Sequence, residues 1–324
     1  MGRALRWVGV GVGSLASVAT LGLGYLLLAY PVMPTPEAGE VAVDAAKLAR
    51  GAYLAEHVAV CVDCHSQRDF SLFSAPVVDG TIGQGGQHFG HELGFPGELI
   101  APNITPHALS SWSDGELMRA ITAGVTPDGR ALFPLMNYPA YSKLCRADLE
   151  ALVTYVRSLE PVANTPPRSK LDFPVNLIVR TLPKPVQLDS ACPDVQDTVA
   201  HGKYLVNTAG CIDCHTQREG PDLKLALSFA GGVTMKLPNG GSVVSKNLTP
   251  DASGIGGWSR EQFVRRFAMY RERANLYQVS AGDAQTIMPW NMYAGMSDQD
   301  LGAIYDFLRT VKPIKTEDPK IAAR

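Results

Sequence analysis

Cys61-Val62-Asp63-Cys64-His65 decides the reading of this chain, and Cys211-Ile212-Asp213-Cys214-His215 repeats it 150 residues later. Two thiols three positions apart reach the two vinyl groups of one porphyrin, and a His directly after the second thiol lies beneath the ring, where it binds iron. A zinc site would pair Cys-x-x-Cys with a second ligand pair, and a reactive dithiol would sit near a βαβ unit without needing the His. With the His present in both copies, the pattern predicts two covalently bound haem c groups. Cys61, Cys64, Cys211 and Cys214 are the attachment points, and His65 and His215 are the iron ligands.

The surroundings of the motifs match as well. Upstream, Arg50-Gly51-Ala52-Tyr53-Leu54 answers His201-Gly202-Lys203-Tyr204-Leu205. Downstream, Asn103-Ile104-Thr105-Pro106 answers Asn247-Leu248-Thr249-Pro250, and Trp112-Ser113 answers Trp258-Ser259. Met136 to Leu149 then aligns without a gap on Met288 to Leu301. Self-similarity of this kind predicts a duplicated domain, with units at 40–160 and 196–324. Between them, 161–195 holds Pro161, Pro166, Pro167, Pro174, Pro183, Pro185 and Pro193, which exclude a helix or a central strand. The apolar stretch Leu171 to Leu182 is expected to lie along the surface of one domain.

Helices are expected at Ala45 to Val58 and Val199 to Thr208, leading into the Cys motifs. Ser113-Asp114-Gly115-Glu116 and Ser259-Arg260-Glu261-Gln262 have the form of capping boxes, opening helices to about Ala123 and Tyr270. Arg146 to Leu159 and Gln299 to Val311 each place apolar residues on one face of a third helix. No alternation marks a long strand, so the units read as mainly α.

Iron needs a sixth ligand or an open site. Met136 is the candidate in the first unit, because Met118 falls inside an amphipathic helix; the alignment then selects Met288 in the second. Met292 and Met296 align with Ala140 and Leu144, which gives them no ligand role, with Met292 as the fallback. His57, His88, His91 and His107 are rivals in the first unit, but none has a counterpart in the second, where His201 is the spare His. They read as surface or loop residues. Gly80, Gly83, Gly85 and Gly86 read as a loop passing close to the haem edge. Cys145 and Cys192 are either a disulfide or two separate buried thiols.

Trp7 to Tyr30 contains no charged side chain, and a helix of that length spans about 36 Å, against a hydrocarbon core of about 30 Å. Arg3 and Arg6 precede it, so the positive-inside bias places the N-terminus in the cytoplasm. Residues 1–39 are therefore expected to be an uncleaved membrane anchor and short linker. That implies a single pass through a bacterial inner (cytoplasmic) membrane, with the haem domains in the periplasm. The formal net charge of -2 gives no reason to expect a nucleic-acid partner.

At these residues the sequence resembles the multihaem cytochrome c subunits of membrane-bound alcohol and gluconate dehydrogenases and their di-haem relatives. The resemblance covers most of residues 45–312. It rests on the Gly-x-Tyr-Leu lead into each Cys motif, the Asn-Ile/Leu-Thr-Pro segment, the Trp-Ser helix start and the terminal Met segment. Met288-Pro289 follows the family's Met-Pro pattern, whereas Met136 is followed by Asn137. The resemblance implies two tandem class I cytochrome c-like domains and electron transfer rather than catalysis. The donor would be a dehydrogenase, and the acceptor a terminal oxidase or soluble cytochrome. A di-haem peroxidase-type enzyme is the alternative, and a haem-based sensor ranks below both.

Overall fold

The computed structural model describes residues 2–36, 41–238, 240–280 and 283–316. Helix α1 spans Gly2–Ala29. The first repeat contains α2 (Ala45–Tyr53), a π-helical turn at Leu54–Val58, α3 (Cys61–Cys64), α4 (Pro106–Leu109), α5 (Asp114–Ala123), α6 (Tyr138–Tyr141) and α7 (Arg146–Ser158). The connecting segment carries α8 (Val175–Ile178). The second repeat contains α9 (Thr198–Thr208), α10 (Cys211–His215), α11 (Arg260–Ala268), α12 (Trp290–Tyr293) and α13 (Asp298–Leu308).

In each repeat the helix leading into the Cys turn crosses the last helix, α2 on α7 and α9 on α13. Glycine makes the crossing possible. A Cβ on Gly51 would lie 2.0 Å from the Ala151 carbonyl oxygen, and one on Gly202 would lie 1.9 Å from that of Ala303. These are equivalent positions, so the Gly of the repeated Gly-x-Tyr-Leu segment exists to let two backbones touch. Around the crossings, Leu54, Leu149 and Val153 in one repeat and Leu205, Leu301 and Leu308 in the other are almost fully buried. Both capping boxes form. The Ser113 and Ser259 hydroxyls accept from the amides of Glu116 and Gln262, whose side chains accept from the serine amides in return.

The lead-in helices differ by one residue. Arg50 to Cys61 is one position longer than His201 to Cys211, and the surplus is absorbed where the Ala59 amide donates to the Leu54 carbonyl, five residues back. A single π turn is the usual way for a helix to take up an insertion. The helix expected over Ala45 to Val58 is thus α2 continued by the π turn.

The fold departs from the expectation in two further respects. Small sheets are present: β1 (His88–Phe89), β2 (Gly97–Ile100) and β3 (Lys170–Leu171) form one antiparallel sheet. In the second repeat, β4 (Arg218–Glu219) pairs with β5 (Asp222–Leu223), and β6 (Thr234–Lys236) with β7 (Ser242–Val244). Strand β3 belongs to the proline-rich segment and docks it on the first repeat. That segment also supports the four-residue helix α8, which the proline count had excluded. Phe173 and Ile178 remain exposed while Val179 and Leu188 are buried.

The N-terminal expectation is overturned. Among the described residues, no helix is long and apolar enough to cross a membrane. A stretch without charge is not the same as an apolar one: Gly9, Gly11, Gly13, Ser14, Ser17, Thr20, Gly22 and Gly24 dilute the run from Trp7 to Tyr30. The transmembrane helix, and with it the single-pass inner-membrane anchor and periplasmic placement inferred from it, is withdrawn. What α1 does contact is protein, because the Arg180 guanidinium donates to the carbonyls of Leu27 and Tyr30. Residues 37–39, assigned to the linker after it, lie outside the described residues.

Candidate haem centres

Each Cys motif opens on a left-handed residue, Val60 (φ 46°) or Gly210 (φ 66°), which turns the chain sharply out of the preceding helix. The four cysteines are not joined to one another. Burial pushes their thiols up, Cys61 and Cys214 to about 11 and Cys64 and Cys211 to about 12. None is a thiolate at neutral pH, the opposite of a reactive dithiol.

The histidines show what the sites are arranged to hold. His65 Nδ1 lies 2.8 Å from the Pro102 carbonyl oxygen, and His215 Nδ1 lies 2.7 Å from that of Lys246. A carbonyl can only accept, so Nδ1 carries the proton and Nε2 keeps its lone pair in both repeats. Burial lowers the pKa of both rings, outweighing the bond to the carbonyl, and keeps them neutral. A neutral imidazole with Nδ1–H anchored and Nε2 free is the form that binds iron. The residues therefore fit covalently bound haem c.

The carbonyl partners are themselves placed by the repeated Asn-x-Thr-Pro segment. Asn103 Oδ1 accepts from the Thr105 amide and Asn247 Oδ1 from that of Thr249, both at 2.8 Å. The glycine loop closes the other side: Gly85 donates its amide to the His65 carbonyl at 2.9 Å, and Gly231 to that of His215 at 2.8 Å. Gly231 was missed in the sequence because the loops around it differ in length, although the Gly85-Gly86 and Gly231-Gly232 pairs were visible.

Met136 and Met288 are half-buried and occupy the same local turn. The Met136 carbonyl accepts from the Tyr138 amide at 2.6 Å, and the Met288 carbonyl from the Trp290 amide at 2.8 Å. Met118, Met292 and Met296 are buried core residues. Ser74, also missed, grips the second Met segment from the first repeat: its hydroxyl lies 2.9 Å from the Met288 carbonyl and 2.8 Å from Asn291 Oδ1. The Ser74 amide donates to Gln285 Oε1.

The spare histidines are engaged elsewhere. His57 Nδ1 lies 3.0 Å from the Met292 carbonyl oxygen, and His201 Nε2 lies 2.7 Å from Asp300. His88 and His91 share Glu98 on the surface, and His91 also reaches Asp172. His107 is exposed on α4. Cys145 and Cys192 form a disulfide, which ties the start of α7 to the connecting segment. Asp148 lies beside it, but sulfurs already bonded to each other are not thiolate ligands.

Each crossed helix pair thus leads into a Cys-x-x-Cys-His turn whose imidazole is oriented as a haem c site would need it. Residues 199–312 match the cytochrome c family model, so the chain carries a cytochrome c domain in its second half. Over 320 residues it is 27% identical to the cytochrome c subunit of the quinone-dependent alcohol dehydrogenase of Gluconacetobacter polyoxogenes, covering 92% of this chain and 63% of that one. It is 28% identical to the fructose dehydrogenase cytochrome subunit of Gluconobacter japonicus, covering 91% and 58%. It is 27% identical to the gluconate 2-dehydrogenase cytochrome c subunit of Pantoea cypripedii, covering 84% and 63%. The chain thus spans less than two thirds of the length of each of these relatives.

Proposed function

We propose that this chain is a two-centre electron carrier. One haem c is held by Cys61, Cys64 and His65 in the unit at 40–160, and one by Cys211, Cys214 and His215 in the unit at 196–324. Met136 and Met288 are the sixth ligands. The observation that carries the reading is the duplicated geometry: in both repeats His Nδ1 is committed to a carbonyl while a Met sits in the same short turn.

Bound haem c supplies one-electron ferric/ferrous chemistry, and a His/Met ligand pair raises its potential. The chain's residues do the rest. The Pro102 and Lys246 carbonyls orient the imidazoles, the glycine loops cover the Cys turns, and saturated coordination leaves no position for a substrate. The electron donor would be a dehydrogenase, which the cytochrome-subunit names of the relatives support, and the acceptor a terminal oxidase or another cytochrome. The peroxidase-type alternative draws no support from the relatives, which are named as cytochrome subunits of dehydrogenases, and His91 has both ring nitrogens committed, to Glu98 and Asp172.

Met136→Ala and Met288→Ala test the assignment through the Met-to-iron charge-transfer band of the oxidised protein. Each variant is expected to lose the band for one haem and keep it for the other. A full band in both variants would refute the ligand choice.

A further inference from the structure

The contacts across the boundary between the repeats come in crossed, equivalent pairs. Tyr53 donates its hydroxyl to Asp300 of the other repeat at 2.5 Å, and Tyr204 donates to Asp148 at 2.7 Å. His57 reaches the Met292 carbonyl, and at the equivalent place Asn207 donates to the Ala140 carbonyl, both at 3.0 Å. The repeats are therefore related by an approximate two-fold axis. Helix α6 packs on α9 of the opposite repeat and α12 on the π turn of the opposite repeat, and each lies directly after its candidate Met.

Two tyrosines on those helices each anchor their helix to the lead-in of the Cys turn in their own repeat. The Tyr141 hydroxyl donates to the Ala59 carbonyl at 3.0 Å, and the Tyr293 hydroxyl to the Ala209 carbonyl at 2.7 Å. Both acceptors lie two residues ahead of the first Cys of a motif. Asn137, just before α6, donates to Asp213 inside the other repeat's motif at 3.0 Å. Tyr141 lies within electrostatic reach of Cys61, Cys64 and Asp213, and Tyr293 within reach of Cys211, Cys214, Asp63 and Tyr141 itself. Burial above all holds both phenols well above their ordinary range, so they remain donors.

We propose that α6 and α12 form the electron bridge between the two haem centres: Tyr141 and Tyr293 are positioning residues that tie each helix to the Cys-x-x-Cys turn of its own repeat, while the bonds of Asn137, Asn207 and His57 tie the same segments to the other repeat. This rests on the two-haem reading given above. One electron crosses, one iron being oxidised as the other is reduced; no bond is made or broken, and neither tyrosine releases its proton. Because tunnelling falls steeply with edge separation, a small loosening of either anchor slows the exchange without touching either iron's ligands.

The test uses the full haem-loaded chain. Haem content comes first: one haem per chain would sink the two-haem reading itself, and the bridge with it. With two present, one haem is reduced by a fast pulse and the redistribution within the chain is followed optically. The Tyr141→Phe/Tyr293→Phe double variant should keep both haems and the full Met-to-iron band, yet exchange several-fold more slowly. Tyr277→Phe, which removes a comparable hydroxyl-to-carbonyl bond at an exposed position, should not. A wild-type rate in the double variant would overturn the proposal. In the unaltered chain, the ferric haems should show a magnetic interaction by electron paramagnetic resonance, and two non-interacting signals would overturn it without any variant.

Discussion

At the scale of the residue, single atoms decide which groups are free to do chemistry. His65 and His215 spend Nδ1 on a carbonyl and keep Nε2, whereas His91 spends both nitrogens on carboxylates, Nδ1 on Glu98 at 2.9 Å and Nε2 on Asp172 at 2.7 Å. Two acceptors favour the doubly protonated ring, so the His91 pKa is raised above the ordinary 6.5, first by the bond to Asp172. A raised His pKa means the contribution is fully present below 6.5 and is lost as pH climbs through the folded-state value. Glu98 runs the other way: its pKa is lowered, so its share fades as pH falls through the carboxylate range. The clasp between the β1–β2 hairpin and the connecting segment should therefore be strongest in mildly acidic solution. Following the His91 ring by NMR should give a midpoint above 6.5 that drops in Asp172→Asn; a wild-type midpoint at or below 6.5 would contradict the assignment. None of this was legible in the sequence. Asp172 is 81 positions from His91, and Ser74 is 214 from the Met288 it holds, with no counterpart in the other repeat to draw attention to either.

At the scale of the element, what repeats was readable and what differs was not. The capping boxes at Ser113 and Ser259 need only four consecutive residues, so their signal is local and both form as expected. The Gly-x-Tyr-Leu segments were equally visible, but their purpose was not. Gly51 and Gly202 serve helix crossings within a repeat, while Tyr53 and Tyr204 reach into the opposite one. The one-residue surplus before Cys61 could be counted in the sequence, yet its resolution as a π turn depends on which carbonyl the Ala59 amide finds. The crossings give a direct prediction. Gly202→Ala puts a methyl 1.9 Å from the Ala303 carbonyl oxygen and 3.0 Å from Phe307 Cβ, and overpacking of this kind costs about 1–3 kcal/mol. The urea midpoint of the variant should fall accordingly. An unchanged midpoint would mean that α9 and α13 are not packed backbone to backbone.

At the scale of the whole molecule, duplication sets the architecture and the approximate two-fold axis sets how the halves face each other. The duplicated motifs made the first point legible. The second depends on pairs such as Asn137 with Asp213 that join opposite halves and leave no periodic trace. The N-terminal stretch is the converse case: it lacks charge, but its density of Gly, Ser and Thr leaves it short of the apolarity needed to cross a membrane. The cytochrome c family match covers 199–312, so the equivalence of the first half rests on its geometry, and the number of working haems is the point on which the account stands. An optical redox titration of the purified, haem-loaded chain tests it most directly. The account predicts two one-electron transitions, with both haems low-spin and six-coordinate throughout; a single transition, or a high-spin haem that binds cyanide readily, would contradict it.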